Sequence, residues 1–189
     1  MAKSGLPTRR GSRAADWVNE QSMCHILAAL TPANRRVMWV ALVSGLRVSD
    51  VLGIKTCQID ARRGDIAHGC KVSVRQLKTD QTTRFWLPAE LRRELLEHAG
   101  KLYVFPCRTG QGKHRTRQAV EKDMHRACAL LRLPAAVTVS PHSARKMYAV
   151  AHGSGSLHHK SRAVELMYAT ADLATVRKLE GRRTDLVHN

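Results

Sequence analysis

The sequence predicts an α+β domain, mainly helical, with one small antiparallel sheet set among the helices. Apolar residues recur at three- and four-residue spacing along most of the chain, the period of an amphipathic helix. Thr31-Pro32 and Ser140-Pro141 each place a capping residue before a proline, the arrangement that opens a helix. Only the stretch from Asp65 to Leu87 shows the two-residue alternation of strands.

Taken in order, Ala14 to Leu30 has helical periodicity through Trp17, Met23, Ile26, Leu27 and Leu30. A second helix should run from Thr31-Pro32 to about Ser44, with Gly45 as its stop. A short helix follows around Ser49 to Ile54. Asp65 to His68, Lys71 to Leu77 and Thr83 to Leu87 read as strands, with Thr79 to Thr82 turning one hairpin. Helical patterns resume at Ala89 to His98 and at Arg115 to Leu131. Ser140-Pro141 opens a helix that carries His142, Arg145 and Tyr148. The last helical patterns are Ser161 to Ala169 and Leu173 to Glu180, and there are no internal repeats.

Length and composition narrow the class. A chain of 189 residues can hold one ordinary domain plus a short arm, here divided as 1–13 and 14–189. With aromatics at only 4%, the core must be largely Leu, Val, Ala and Met. No apolar run approaches the roughly 18 residues of a membrane helix. Met1 to Arg13 lacks the apolar centre of a signal peptide, so the expected location is the cytoplasm, with no membrane partner. Cys24, Cys57, Cys70, Cys107 and Cys128 are odd in number and contain no CxxC pair, against a disulfide framework and a zinc ribbon. They are expected as small buried residues in a reducing compartment. His158-His159 is the one adjacent histidine pair, and no metal is expected.

The charge says more. Thirty-two Lys and Arg against fifteen Asp and Glu give a net charge of +17, a field that attracts polyanions. Neutralising phosphates would release condensed counterions, so nucleic acid is the expected partner. Charge does not separate an enzyme from a passive binder. Arg9, Arg10 and Arg13 on the basic arm, and Lys113 and Arg115 further on, are candidates for contacts with a nucleic-acid backbone. Thr109 to His114 faintly suggests a phosphate loop, but the first Gly is missing and His114 stands where a Ser or Thr belongs. It reads as a flexible basic loop.

His142 and Arg145 lie three apart in the first turn of a predicted helix, where both share a face and free N–H groups favour an anion. This is a plausible phosphate cradle, although an ordinary solvated pair has the same spacing. The surrounding order is more specific. Gly45-Leu46-Arg47-Val48-Ser49-Asp50-Val51-Leu52, then Leu77-Lys78-Thr79, then Pro141-His142-Ser143-Ala144-Arg145, then His159 and, nine residues on, Tyr168 resemble the tyrosine recombinase (phage integrase) family. The resemblance runs from about Leu30 to Asp172 and implies that family's helical catalytic fold.

It also implies a chemistry. Arg47 and Arg145 would hold the non-bridging oxygens of a scissile phosphate, a task suited to planar guanidinium forks. Lys78 would protonate the departing 5′ oxygen, His142 would assist proton transfer, and His159 would hydrogen-bond the phosphate. Asp50 would orient Arg47 or its neighbours. Tyr168 would attack phosphorus to give a 3′-phosphotyrosyl link, with cationic neighbours activating a phenol of ordinary pKa about 10. Such chemistry needs neither metal nor cofactor. The implied partners are double-stranded DNA and further copies of the chain, as a dimer or tetramer, with room for an accessory DNA-binding protein. A catalytically inactive DNA-binding relative that regulates recombination is the alternative, and a basic binder of other ancestry a third.

Two departures from the family pattern bear on these expectations. Most members carry a helical DNA-clamping domain ahead of the catalytic one; fewer than thirty residues precede the resemblance here, so that domain is expected to be absent or supplied by a partner. The interval from Arg145 to His159 is also short, at fourteen residues, and includes Gly153-Ser154-Gly155-Ser156. A second alignment treats His152 to Ala163 as an insertion and puts Arg182 in the place of the second histidine, leaving no nucleophile. The first alignment keeps the nine-residue spacing and the Tyr168 to Asp172 continuation. Tyr148 is the rival nucleophile but is expected to pack against the core; Tyr103 has no supporting context.

Overall fold

The computed structural model describes residues 15–16, 18–60, 69–109, 112–134 and 137–152. Within them the chain is mostly helical with one two-stranded antiparallel sheet. The expected strand at Asp65 to His68, the helices at Ser161 to Ala169 and Leu173 to Glu180, and His159 and Tyr168 lie outside the described residues.

Helix α1, Glu20–Ala29, starts later than the periodicity suggested because Asn19 caps it, accepting the Ser22 N–H at 2.8 Å. Ahead of it, Asp16 is pinned to Thr138. Asp16 donates its N–H to the Thr138 carbonyl at 2.7 Å and accepts the Thr138 N–H on its carboxylate at 2.9 Å. Helix α2, Pro32–Ser44, runs as expected from a first-turn proline to Gly45, which takes the left-handed φ of 64° that ends a helix. Short helix α3 is Val48–Leu52, and a second short helix, α4, Thr56–Asp60, was not foreseen. A single helical turn contains too few periods for its pattern to stand out.

Strands β1, Cys70–Arg75, and β2, Thr82–Leu87, form the hairpin, with Cys70 opposite Leu87 and Arg75 opposite Thr82. Val72, Val74, Phe85 and Leu87 enter the core, while Lys71, Arg75, Arg84 and Trp86 face outward. Helices α5, Ala89–His98, α6, Arg117–Leu130, and α7, Pro141–His152, complete the described chain.

Helix α2 is central, packing against α1, α3, α6, α7 and β2. Val37, Met38, Val40 and Ala41 are its buried face, and the core is built from Val, Leu, Ile, Met and Ala with Phe85 and Phe105. All five cysteines are free. Cys24 and Cys57 are exposed, against the expectation of burial, because Met23, Ile26 and Leu27 take the inward positions of α1 and Ile59 that of α4. No described helix is long and apolar enough to cross a membrane.

The start of α2 is tied to α6 by a buried carboxylate. Asp123 Oδ2 accepts the Thr31 N–H at 2.9 Å, the Thr31 hydroxyl at 2.7 Å and the Asn34 amide at 2.8 Å, while Oδ1 accepts from Arg126. Thr31 therefore caps nothing with its own side chain, and Asp123 serves the helix N-terminus from another element. Burial alone would raise the Asp123 pKa, but the hydrogen bonds from Thr31, Asn34 and Arg126 overcome it and hold the carboxyl at about 2. Because the folded value lies below the ordinary 3.8, this contribution to stability is present above that pH and is lost as pH falls toward 2. Asp123→Ala should lower the unfolding free energy at pH 7 by about 2 kcal/mol or more, measured by urea denaturation. The difference between variant and parent should shrink on acidification; a constant gap across that range would contradict the assignment.

Candidate active site

The site is built around the end of α2. Ser44 sends its hydroxyl back to the Val40 carbonyl at 2.6 Å and accepts the Leu46 N–H at 3.2 Å, fixing the chain as it leaves the helix. Gly45 then turns it with its positive φ. A β-carbon there would come within 2.8 Å of Cγ and Cε1 of Tyr148, whose ring lies against Gly45. Glycine is thus required twice, for backbone angle and for space.

Arg145, on α7, is 1% exposed and donates from Nη1 to the Gly45 carbonyl. Arg47, two residues after Gly45, caps α3 and donates from Nη1 to Gln76 Oε1 at 2.7 Å. Gln76 directly follows β1, so the bond joins Arg47 to the hairpin. Asp50 donates its N–H to the Arg47 carbonyl at 2.9 Å, but among the described residues its carboxylate makes no hydrogen bond or ion pair with the Arg47 guanidinium. Asp50 is buried, and its Oδ1 accepts the Leu77 N–H at 2.9 Å. Lys78 follows Leu77 and is exposed on the turn. That turn is wider than the four residues expected: β1 ends at Arg75, Gln76 donates its N–H to the Gln81 carbonyl at 2.8 Å, and Asp80 adopts a φ of 59°.

His142 lies in the first turn of α7, where the Ser140 hydroxyl accepts its backbone N–H at 3.2 Å. Its residue surface is exposed, yet its surroundings hold enough protein that burial leads the causes depressing its imidazole pKa. The positive charges of Arg145, Arg117, Arg47 and Lys78 add to the effect, in that order. Four basic groups from α3, the hairpin, α6 and α7 therefore act on one imidazole. Arg117 was not among the sequence candidates; its position at the start of α6, behind the Thr116 cap, was the available signal. Gln76 was also missed, since a neutral amide at a strand end carries no chemical signature.

Tyr148 stacks on His152 with ring centroids 4.2 Å apart, and its ring is occupied by packing. Tyr103 meets His114 edge-on at 5.2 Å. Lys113 is exposed in a loop closed by the Pro106–His114 bridge, and Arg115 donates its N–H to the Phe105 carbonyl at 2.8 Å. Arg9, Arg10, Arg13, His159 and Tyr168 lie outside the described residues. Among the described residues no three His, Cys, Asp or Glu side chains gather to hold a metal ion.

The sequence pattern of the phage integrase family matches residues 16–153. The chain belongs to the phage integrase family. Among solved structures it is similar to XerH site-specific recombinase bound to a palindromic difH substrate, at 16% identity and a TM-score of 0.63, covering 94% of this chain and 56% of that one. It is similar to a lambda integrase(75-356) dimer bound to a COC′ core site, at 17% identity and a TM-score of 0.63, covering 85% of this chain and 62% of that one. The lambda integrase catalytic core alone aligns over 77% of this chain and 93% of its own length, with a TM-score of 0.59 and 17% identity. At such identities the likeness is one of fold, and it is that of the integrase catalytic domain. The chain spans 56% and 62% of the first two recombinase structures. Among curated proteins no sequence matches the chain.

Two measurements check this geometry. Gly45→Ala should cost more than the roughly 1–2 kcal/mol of a left-handed residue, since the Tyr148 ring must also move. Urea denaturation reads the loss, and a cost below that range would contradict the packing. The His142 imidazole should titrate below its ordinary 6.5 in the free protein, followed by NMR. Burial and cationic neighbours disfavour its protonated form, so an anion bound among them should raise the value. A value that stays put when inorganic phosphate or DNA binds would place the anion elsewhere.

Proposed function

We propose that this chain is the strand-transferase portion of a site-specific tyrosine recombinase. The observation that carries the reading is electrostatic: Arg47, Lys78, Arg117 and Arg145, distant in sequence, all lie near enough to His142 for their charges to disfavour its protonated form, beside the larger effect of burial. Positive groups gathered at this density repel one another and suit an anion that collects their charge. A DNA backbone phosphate fits both that requirement and the net charge of +17. Family membership supports site-specific recombination as the broad activity.

In this reading Arg47 and Arg145 bind the non-bridging oxygens and stabilise the charge that grows in the transition state. Tyr168 gives up its phenolic proton, and its oxygen attacks phosphorus to form a 3′-phosphotyrosyl bond. The bond to the 5′ oxygen breaks, and Lys78 supplies the proton that the leaving oxygen takes. His142, whose protonated form is disfavoured by burial and by its cationic neighbours, is suited to accept and pass on a proton, and His159 hydrogen-bonds the phosphate. The covalent bond conserves the phosphodiester's energy, so the 5′ hydroxyl of another strand can reverse the step. The near-complete burial of Arg145 adds a requirement: its guanidinium has to be uncovered before a phosphate reaches it.

Double-stranded DNA is the proposed substrate, and the basic residues Arg9, Arg10, Arg13, Lys113 and Arg115 are proposed backbone contacts. Lambda integrase has been solved as a tetramer bound to a Holliday junction. Assembly of this chain as a dimer or tetramer on paired sites is proposed by that likeness, as is its role as a catalytic unit that works beside a separate DNA-clamping element.

The test is covalent trapping. The protein is mixed with a pool of nicked duplexes of randomised sequence, in which loss of the short 5′ fragment makes cleavage irreversible. A denaturation-resistant DNA adduct should form, Tyr168→Phe should abolish it without weakening DNA binding, and Arg47→Ala should slow it about 10²-fold or more. DNA binding without adduct would favour the inactive regulatory relative. Adduct formed by the Tyr168→Phe protein would show the nucleophile to be another residue.

A further inference from the structure

We propose that Gln76 is a positioning residue that holds the Arg47 guanidinium and the Lys78 turn in one rigid frame. The inference rests on the strand-transfer reading for what Arg47 and Lys78 do, and on the contacts alone for how they are held.

Gln76 is 1% exposed, and each of its polar groups is engaged. Oε1 accepts from Arg47 at 2.7 Å, and Nε2 donates to Thr83 Oγ1 at 2.6 Å. Its N–H reaches the Gln81 carbonyl at 2.8 Å, and its own carbonyl accepts the Asp80 N–H at 2.9 Å. The orientation of the amide follows from chemistry. A guanidinium has donors and no acceptor, so the oxygen must face Arg47 and the nitrogen is left for Thr83. The residue that takes Arg47 is thus the residue that closes the turn bearing Lys78. Asp50, one turn further along α3, takes the Leu77 N–H at 2.9 Å. Arg47 and Asp50 from one short helix grip the adjacent Gln76 and Leu77, and Lys78 comes next.

The choice of a neutral amide has a consequence. A carboxylate at this position would orient Arg47 equally well but would cancel its charge, the property needed at a phosphate. Gln76 supplies direction and leaves the charge intact. Among the described residues it is Arg47's one side-chain hydrogen-bond partner, so the other donors of the fork are left for an incoming ligand.

The experiment has two arms on the full chain. In the first, NMR of ¹⁵N-labelled arginine side chains follows rotation of the Arg47 guanidinium, assigned by its loss in Arg47→Lys. Slow rotation is expected in the parent, fast rotation in Gln76→Met, which keeps the shape but not the acceptor, and slow rotation in Gln76→Glu. Equal rotation in parent and Gln76→Met overturns the proposal. The second arm measures adduct formation on the site recovered from the duplex pool. Gln76→Met should slow it by about 10²-fold, the scale of a small misplacement at a reacting centre. Gln76→Glu should slow it by about 10-fold or more through lost positive charge; a Glu variant as fast as the parent overturns the proposal even if Gln76→Met does not fold.

A substrate with sulfur in place of the bridging 5′ oxygen separates the two halves of the frame, because a thiolate leaves without a proton. It should restore Lys78→Ala and leave Gln76→Met slow. Full restoration of Gln76→Met would show an effect through Lys78 alone and overturn the Arg47 half. A parent protein that forms no adduct would count against strand transfer, and the NMR arm then decides the positioning by itself.

Discussion

The bond from the Arg145 guanidinium to the Gly45 carbonyl is the constraint on which the rest of the site depends. A buried cation is costly unless it is paired and hydrogen-bonded, and a helix end leaves carbonyls without intrahelical partners. Each need answers the other here. Arg145 finds an acceptor at the C-terminal end of α2, where the helix dipole is negative. The acceptor is available because Gly45 turns the backbone with a positive φ, and the Tyr148 ring, from the same helix as Arg145, closes over that glycine. Helices α2 and α7, a hundred residues apart in sequence, are thereby fixed at the point where the chain enters the candidate site.

From that point the geometry propagates outward through short hydrogen bonds. Arg47 leaves the same turn as Gly45 and reaches the hairpin through Gln76, while Asp50 reaches it through the Leu77 backbone. The opposite end of α2 is secured in a comparable way, by a carboxylate on α6 that serves its N-terminal groups. Both ends of the central helix are therefore held by side chains from other elements. Such ties fix direction and register where apolar contact alone would permit sliding.

Much of the fold was legible because its signals are local. Helix α2 could be read from Thr31-Pro32 to Gly45, and α7 from Ser140-Pro141, since capping residues and prolines act within one turn. The hairpin showed in alternating residues such as Val72, Val74, Phe85 and Leu87. What escaped has equally physical reasons. Helix α4 is too short to display a period, α1 was trimmed by the Asn19 cap, and Cys24 and Cys57 proved exposed because neighbouring apolar residues took the inward positions. Arg47, Lys78, His142 and Arg145 were legible as chemical types in a recognisable order. Arg117 and Gln76 were not, since an arginine at a helix start and a glutamine at a strand end are common everywhere.

The sequence by itself determined the class of fold, the strong positive charge and the family, because composition, periodicity and motif order are properties of neighbours along the chain. Tertiary structure alone decided which groups meet. Asp50 accepts a hydrogen bond from the hairpin backbone, Gln76 became the arginine's partner, and a depressed imidazole emerged from burial first and then from charges on four separate elements. Those outcomes depend on distances between residues tens of positions apart, and such distances are set only when α2 has been packed on every side.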